Sequence, residues 1–214
     1  MFKAVLWDFG GVMTSSPFEA FNRFEKEQGL PKDFIRSINA TNPHTNAWAQ
    51  LESAEIDVQD FDLLFAAEAR AKGHTVRGQQ VLGLLSGSIR PEMVKALTLI
   101  KAKLQVGCIT NNVKSLGSGA GMAKDPQRTA QFEAVMALFD TVIESSKAGI
   151  RKPDPRIYTL ACETMGINPT EAIFLDDLGI NLKPAKALGM TTIKVLDASQ
   201  AIIELETHLQ MSLR

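Results

Sequence analysis

The chain predicts an α/β fold, a doubly wound parallel sheet with an inserted small helical segment. Three observations predict it. Five short apolar, β-rich runs lie at Lys3–Trp7, Gln105–Ile109, Thr141–Ile143, Ala172–Leu175 and Thr191–Val195. Helical patterns separate the later runs, which is the signature of crossover units and a sheet covered on both faces. Residues 16–89, between the first run and the second, hold helical patterns and no convincing strand.

Each element has a local reason. Lys3–Trp7 is nearly continuous in apolar residues, as a strand buried on both faces must be, and it stops on Asp8. In the insertion, Phe18, Phe21 and Phe24 are spaced for one face of a helix over Phe18–Gln28. Phe61, Leu64, Phe65 and Ala69 do the same over Asp60–Ala71. Gly29-Leu30-Pro31 and Thr41-Asn42-Pro43-His44 read as its internal turns. Beyond it, helices are expected over Pro91–Lys103, Asp125–Leu138, Pro155–Met165 and Leu182–Leu188. Pro91 and Pro155 suit first-turn positions, and Gly166 and Gly189 end their helices. Leu116–Gly121 reads as a flexible loop. The expected division is a core of residues 1–15 and 90–214 and a helical cap of residues 16–89.

Composition excludes several function classes. A 45% apolar content over 214 residues is enough for a sizeable core. A net charge of -1 leaves no general basic surface for nucleic acid. No window approaches the ~18 apolar residues that a spanning helix requires, and Ala4–Trp7 is cut off by Asp8 too soon for a secretory leader. Cys108 sits in an apolar run and Cys162 in a helical pattern, which suits a reducing compartment. The expectation is a soluble, cytoplasmic protein without nucleic-acid or membrane partners; a homodimer is left open.

Ligands bind beyond the carboxyl ends of strands in an open parallel sheet. After the first run come Asp8, Phe9, Gly10 and Gly11; after the second, Thr110, Asn111 and Asn112; past the third, Lys147 and Lys152; after the fourth, Asp176 and Asp177. An aspartate here can attack phosphorus and form an acyl phosphate. Two carboxylate positions suit Mg²⁺. Thr110 and the Asn111 N–H suit phosphate oxygens, and Lys152 suits charge on the group in transfer. Glycines at 10 and 11 let the backbone approach closely. Plainer readings stand beside these. Asp176 and Asp177 suit a helix cap, Asn181 a helix start, Asn112 its own turn, and Lys147 and Arg151 the surface. Cys108 and the phenylalanine stripe suit a packed core, while Trp48 is a weak candidate for substrate contact.

"WDFGGV", "ITNN", "KPDPRIY" and "FLDDLGINLKPAKALGM" resemble, in that order, the four motifs of the haloacid dehalogenase-like hydrolase superfamily, and within it the phosphatase domains found in soluble epoxide hydrolases. The resemblance covers residues 1–15 and 90–196, and the insertion occupies the place of the superfamily's small helical cap. It implies a Rossmann-type core and a Mg²⁺-dependent phosphatase acting on a small phosphorylated metabolite. It implies Asp8 as nucleophile, Thr110 and Asn111 as phosphate ligands, Lys152 as the third-motif lysine, Asp177 as metal ligand with Asp176 beside it, Asn181 in support, and the Gly10 carbonyl as a further metal ligand.

One position departs from the pattern. Most phosphatases of the superfamily carry an aspartate two residues after the nucleophile, to protonate the leaving oxygen; here it is Gly10. Three readings follow: a phosphatase for good leaving groups such as sugar 1-phosphates or acyl phosphates, a domain that binds phosphorylated ligands without turnover, or a 2-haloacid dehalogenase. The metal pattern at Asp177 speaks against the last. His44 is the candidate for an acid supplied by the insertion.

Overall fold

In the computed structural model, which describes residues 1–85, 87–112 and 126–214, the apolar runs form five parallel strands: β1 (Ala4–Trp7), β2 (Gln105–Thr110), β3 (Thr141–Glu144), β4 (Ala172–Asp176) and β5 (Thr191–Lys194). Their order is β3-β2-β1-β4-β5, so the first strand is central. Trp7 lies opposite Cys108 on one side and Leu175 on the other. The Asp8 N–H continues that ladder, donating to the Leu175 carbonyl at 2.8 Å. Register alone therefore brings Asp8 level with Asp176.

The period-two alternation of the strands divides the core. Val5, Trp7, Val106, Cys108, Ile173, Leu175 and Ile193 pack on one face. Ala4, Leu6, Ile109, Ala172 and Phe174 pack on the other. Trp7 is fully buried, and truncating such an indole to alanine costs about 3–5 kcal/mol.

The insertion consists of α1 (Pro17–Glu27), α2 (Phe34–Ala40), α3 (Ala47–Glu52), α4 (Val58–Ala71) and α5 (Gly78–Leu82). It has its own apolar cluster, with Phe21, Phe61 and Phe65 buried and Phe18, Phe24 and Trp48 packed at its edge. Trp48 meets Phe61 edge-on. Glu25 is buried and satisfied; its carboxylate accepts from the Asp33 and Ile35 N–H groups at 2.8 and 2.9 Å and so starts α2. The two stems of the insertion run side by side: Ser15 N–H donates to the Ser88 carbonyl and Arg90 N–H to the Met13 carbonyl.

The remaining helices are α6 (Pro91–Lys101), α7 (Pro126–Met136), α8 (Ser145–Ala148), α9 (Pro155–Met165), α10 (Gly179–Ala187) and α11 (Ala198–Leu209). Gly166 closes α9 at φ 64°. Helix α10 begins one turn before the expected Leu182, and Pro184 sits inside it. The expected loop at Leu116–Gly121 and the start of the expected helix at Asp125 lie outside the described residues. Among the described residues, no helix is long and apolar enough to cross a membrane.

Candidate active site

Because β1 and β4 end level with one another, Asp8 and Asp176 leave the sheet as neighbours, and Lys152 fills the space between them. Its Nζ reaches Asp8 Oδ1 at 2.7 Å and Asp176 Oδ2 at 2.8 Å. All three side chains are nearly or fully buried. Burial alone would strip Lys152 of its proton, but Asp176 and Asp8 outweigh it and hold the ammonium above the ordinary lysine range. Lys152 is therefore neither a surface lysine nor a proton donor near neutral pH. It is a fixed positive charge.

The lysine is positioned by Asn111, at the carboxyl end of β2. The Asn111 amide is a two-way clip: Oδ1 accepts from the Lys152 N–H at 2.9 Å and Nδ2 donates to the Lys152 carbonyl at 3.0 Å. Thr110 is buried one residue earlier. Asn112 does more than hold its own turn: it ties β2 to the end of β3, donating from Nδ2 to Glu144 at 2.9 Å and accepting from the Ser146 N–H. Lys147 is exposed and paired with Glu144.

The adjacent acids differ in environment. Asp176 is saturated: Oδ1 accepts from the Leu178 N–H and Asn181 Nδ2, and Oδ2 from Asn181 Nδ2 and Lys152. Asn181 is held in turn by Tyr158, whose hydroxyl donates to its carbonyl at 2.7 Å. Asp177 receives one side-chain bond, from Ser16 Oγ at 3.4 Å, so most of its lone pairs remain available. Burial, reinforced by the charge of Asp176, raises the Asp177 carboxyl to about 6. Burial likewise pushes Asp8 well above the carboxylate range, with Asp176 and Asp177 adding to the rise and Lys152 opposing it.

Asp8, Asp176 and Asp177 present oxygens within 4.8 Å of one another. Once ionised, the three carboxylates outnumber the one ammonium in a largely buried site. Such a donor set fits a divalent, oxygen-seeking cation.

The two glycines of the loop are not equivalent. Gly11 has φ +78°, and a Cβ there would land on the Asp177 carboxylate. Gly10 is exposed, lacks a positive φ, and a Cβ there meets nothing within 4 Å. The backbone requires glycine at 11 only.

His44 is exposed, and the nearby Asp154 carboxyl is lowered chiefly by its hydrogen bond to Arg156. Arg151, expected at the surface, instead pairs with Glu52 at 2.5 Å and donates to the Pro43 carbonyl at 3.1 Å. Glu52 also accepts from Asn111 Nδ2 at 3.2 Å, and its carbonyl accepts from Ser145 Oγ at 2.8 Å. Glu52, Ser16, Ser145 and Tyr158 are contributors that sequence reasoning misses. Single polar residues at helix ends and in loops carry no local sign of partners up to 161 positions away.

Similarity to known proteins follows the same segments. The chain is 35% identical to the mouse (Mus musculus) acyl-CoA dehydrogenase family member 10 over 97% of its length, which is 19% of that protein. It is 31% identical to mouse bifunctional epoxide hydrolase 2 over 95% of its length and 38% of the relative. The chain thus spans well under half of both. Phosphatase MT3486 of Mycobacterium tuberculosis is 26% identical, with 88% of this chain and 84% of that protein covered. In structure, a predicted HAD-like family hydrolase from Porphyromonas gingivalis superposes with a TM-score of 0.67 at 21% identity, covering 99% of each chain. Residues 2–189 match the haloacid dehalogenase-like hydrolase family, a span that includes every acid, amide and ammonium of the site, and the chain belongs to that family.

Proposed function

We propose that the protein is a Mg²⁺-dependent phosphatase that hydrolyses a small phosphate monoester through an aspartyl-phosphate on Asp8. The carrying observation is the Lys152 ammonium, bound to Asp8 and Asp176 beside the underused carboxylate of Asp177. Residues 1–15 and 90–214 would carry the chemistry and residues 16–89 would cap it, which the paired stems and the separate apolar cluster support. Phosphatases among the relatives support the reaction class, and two buried thiols fit a cytoplasmic setting.

Asp8, Asp177 and the Gly10 carbonyl are the residues that would hold the ion. When bound, Mg²⁺ offsets the excess negative charge and polarises phosphoryl oxygens. The chain's own residues do the rest. Lys152 and the Phe9 N–H, at 2.7 Å each, hold Asp8 Oδ1, which aims Oδ2 at phosphorus. Attack forms the Asp8–phosphorus bond and breaks the bond to the leaving oxygen, whose electron pair departs with it. Lys152 sits where charge on the phosphoryl group is stabilised without a proton transfer. Thr110 and the Asn111 N–H are the expected phosphate ligands. Water then hydrolyses the acyl phosphate, releasing phosphate and restoring Asp8.

Gly10 offers no acid to the leaving oxygen. General acid catalysis contributes about 10²–10⁴-fold, so the site favours substrates whose leaving oxygen needs little protonation, such as sugar 1-phosphates and acyl phosphates. The same absence supports a second reading, a module that binds phosphorylated ligands without turnover. A panel of phosphate esters, assayed with Mg²⁺ and with chelator, separates the two. The phosphatase reading expects metal-dependent phosphate release that disappears in Asp8→Asn. Ligand binding without release by the wild type selects the binding module, and halide release from a 2-haloacid in chelator selects a dehalogenase.

A further inference from the structure

A cleft of about 420 Å³ opens beside the site and joins core to insertion, with Gly11 and Asp177 on one side and Phe18 and Arg36 on the other. Arg90 and Lys194 complete its walls. Its size suits a small metabolite. Three cations, Arg36, Arg90 and Lys194, line it against one acid, Asp177.

Two of these cations, Arg36 and Arg90, are poorly satisfied, while Lys194 is exposed. Arg36 is anchored by Asp33, at 3.1 Å, and by stacking 3.9 Å over the Phe18 ring. Its Nε is nevertheless buried without a hydrogen-bond partner, and so is Arg90 Nη1. Neither Arg90 nor Lys194 has an ion-pair partner among the described residues. A buried guanidinium N–H left without an acceptor is unfavourable, and arginines pair most strongly with carboxylates and phosphates. A phosphoryl group at Asp8 is served by Lys152, Thr110 and Asn111, so it leaves these cations unused.

The geometry points to a specificity site: Arg36, Arg90 and Lys194 select phosphate monoesters that carry a second anionic group, a carboxylate or a further phosphate, away from the reacting phosphorus. This rests on the phosphatase reading. It adds a substrate class, small phosphate monoesters bearing a second anionic group, in place of phosphates of uncharged alcohols.

A matched pair of esters tests it. α-D-Glucose 1-phosphate and α-D-glucuronate 1-phosphate share the anomeric leaving oxygen and differ only at C6, hydroxymethyl against carboxylate. The expected ratio of kcat/KM favours the glucuronate by roughly 10–100-fold, the range of a charge-assisted hydrogen bond. Arg36→Gln, Arg90→Gln and Lys194→Gln should each lower the ratio, and the triple variant should bring it near one. Both esters are measured on one protein sample, so any misfolded fraction cancels from the ratio. A wild-type ratio near one, with glucose 1-phosphate turned over, overturns the specificity site and leaves the phosphatase standing. A ratio that survives the triple variant also overturns it. If neither ester is hydrolysed, the phosphatase reading fails and takes the specificity site with it.

Discussion

Replacing Asp177 with asparagine separates the cost of building this site from its use. In the metal-free protein, burial and the neighbouring Asp176 raise the Asp177 carboxyl from 3.8 to about 6. A carboxyl held above its unfolded value binds its proton more tightly when folded. Its penalty is therefore absent below about pH 4, grows as pH rises through the interval, and is complete above pH 6. At 1.36 kcal/mol per pH unit the ceiling is about 3 kcal/mol; Asp177 keeps some solvent contact, so about 1–3 kcal/mol is expected. Asparagine removes the charge and still accepts from Ser16. In chelator at pH 7.5, Asp177→Asn should thus raise the thermal midpoint by roughly 2–12 °C, taking 2–4 °C per kcal/mol for a chain of this size. The gap should close by pH 4. Excess Mg²⁺ should reverse the ranking: a ligand at a hundred times its Kd adds about 2.7 kcal/mol, and only the wild type should gain it. Thermal melts of both proteins over pH 4–8, in chelator and in Mg²⁺, decide the matter. A variant no more stable than wild type in chelator at pH 7.5 would falsify the charge argument, and an equal Mg²⁺ response in both would remove Asp177 from the metal site.

Three further outcomes are expected. Lys152→Met leaves Asp8 and Asp176 buried without their shared counter-ion; breaking such a pair costs about 3–5 kcal/mol, to be read by chemical denaturation, and a loss under 1 kcal/mol would contradict the ion-pair geometry. Gly10→Asp places an acid where the backbone tolerates a side chain; it should melt close to wild type and speed alkyl phosphates up to about 10²–10⁴-fold while barely changing sugar 1-phosphates, whereas equal effects on both would disprove the leaving-group explanation. Glu52→Ala cuts the contacts from Arg151 and Asn111 that tie the insertion to the core; proteolysis should then cleave the insertion stems faster than in wild type, and unchanged cleavage would show that the tie does not hold the two parts together.

The legibility of the sequence varied with distance along the chain. Helices α2, α3 and α5 have 7, 6 and 5 residues, too few turns for an apolar period to show. Helix α11 was not among the expected helices although its signals are local: Asp197 accepts from the Gln200 N–H as its cap, and Ala201, Ile202 and Leu205 form its buried face. Helix α10 starts at Gly179 because Asn181, bonded to Asp176 and to the Tyr158 hydroxyl, holds the extra turn that Pro184 disfavours locally.

By itself the sequence determined where the strands end and which residues follow them. An apolar run marks its own limit, and parallel strands release their carboxyl ends on one rim, so Asp8, Thr110, Lys152 and Asp177 could be gathered from text alone. Only the tertiary structure decided how labour is divided between them. Asp176 anchors the lysine and Asp177 stays open because Asn181, Lys152 and Ser16 converge on those two carboxylates from different segments. Gly11 rather than Gly10 is the glycine the backbone needs. The cations of the cleft meet across core and insertion. Such distinctions depend on which side chains share a few ångströms, and chain order does not record that.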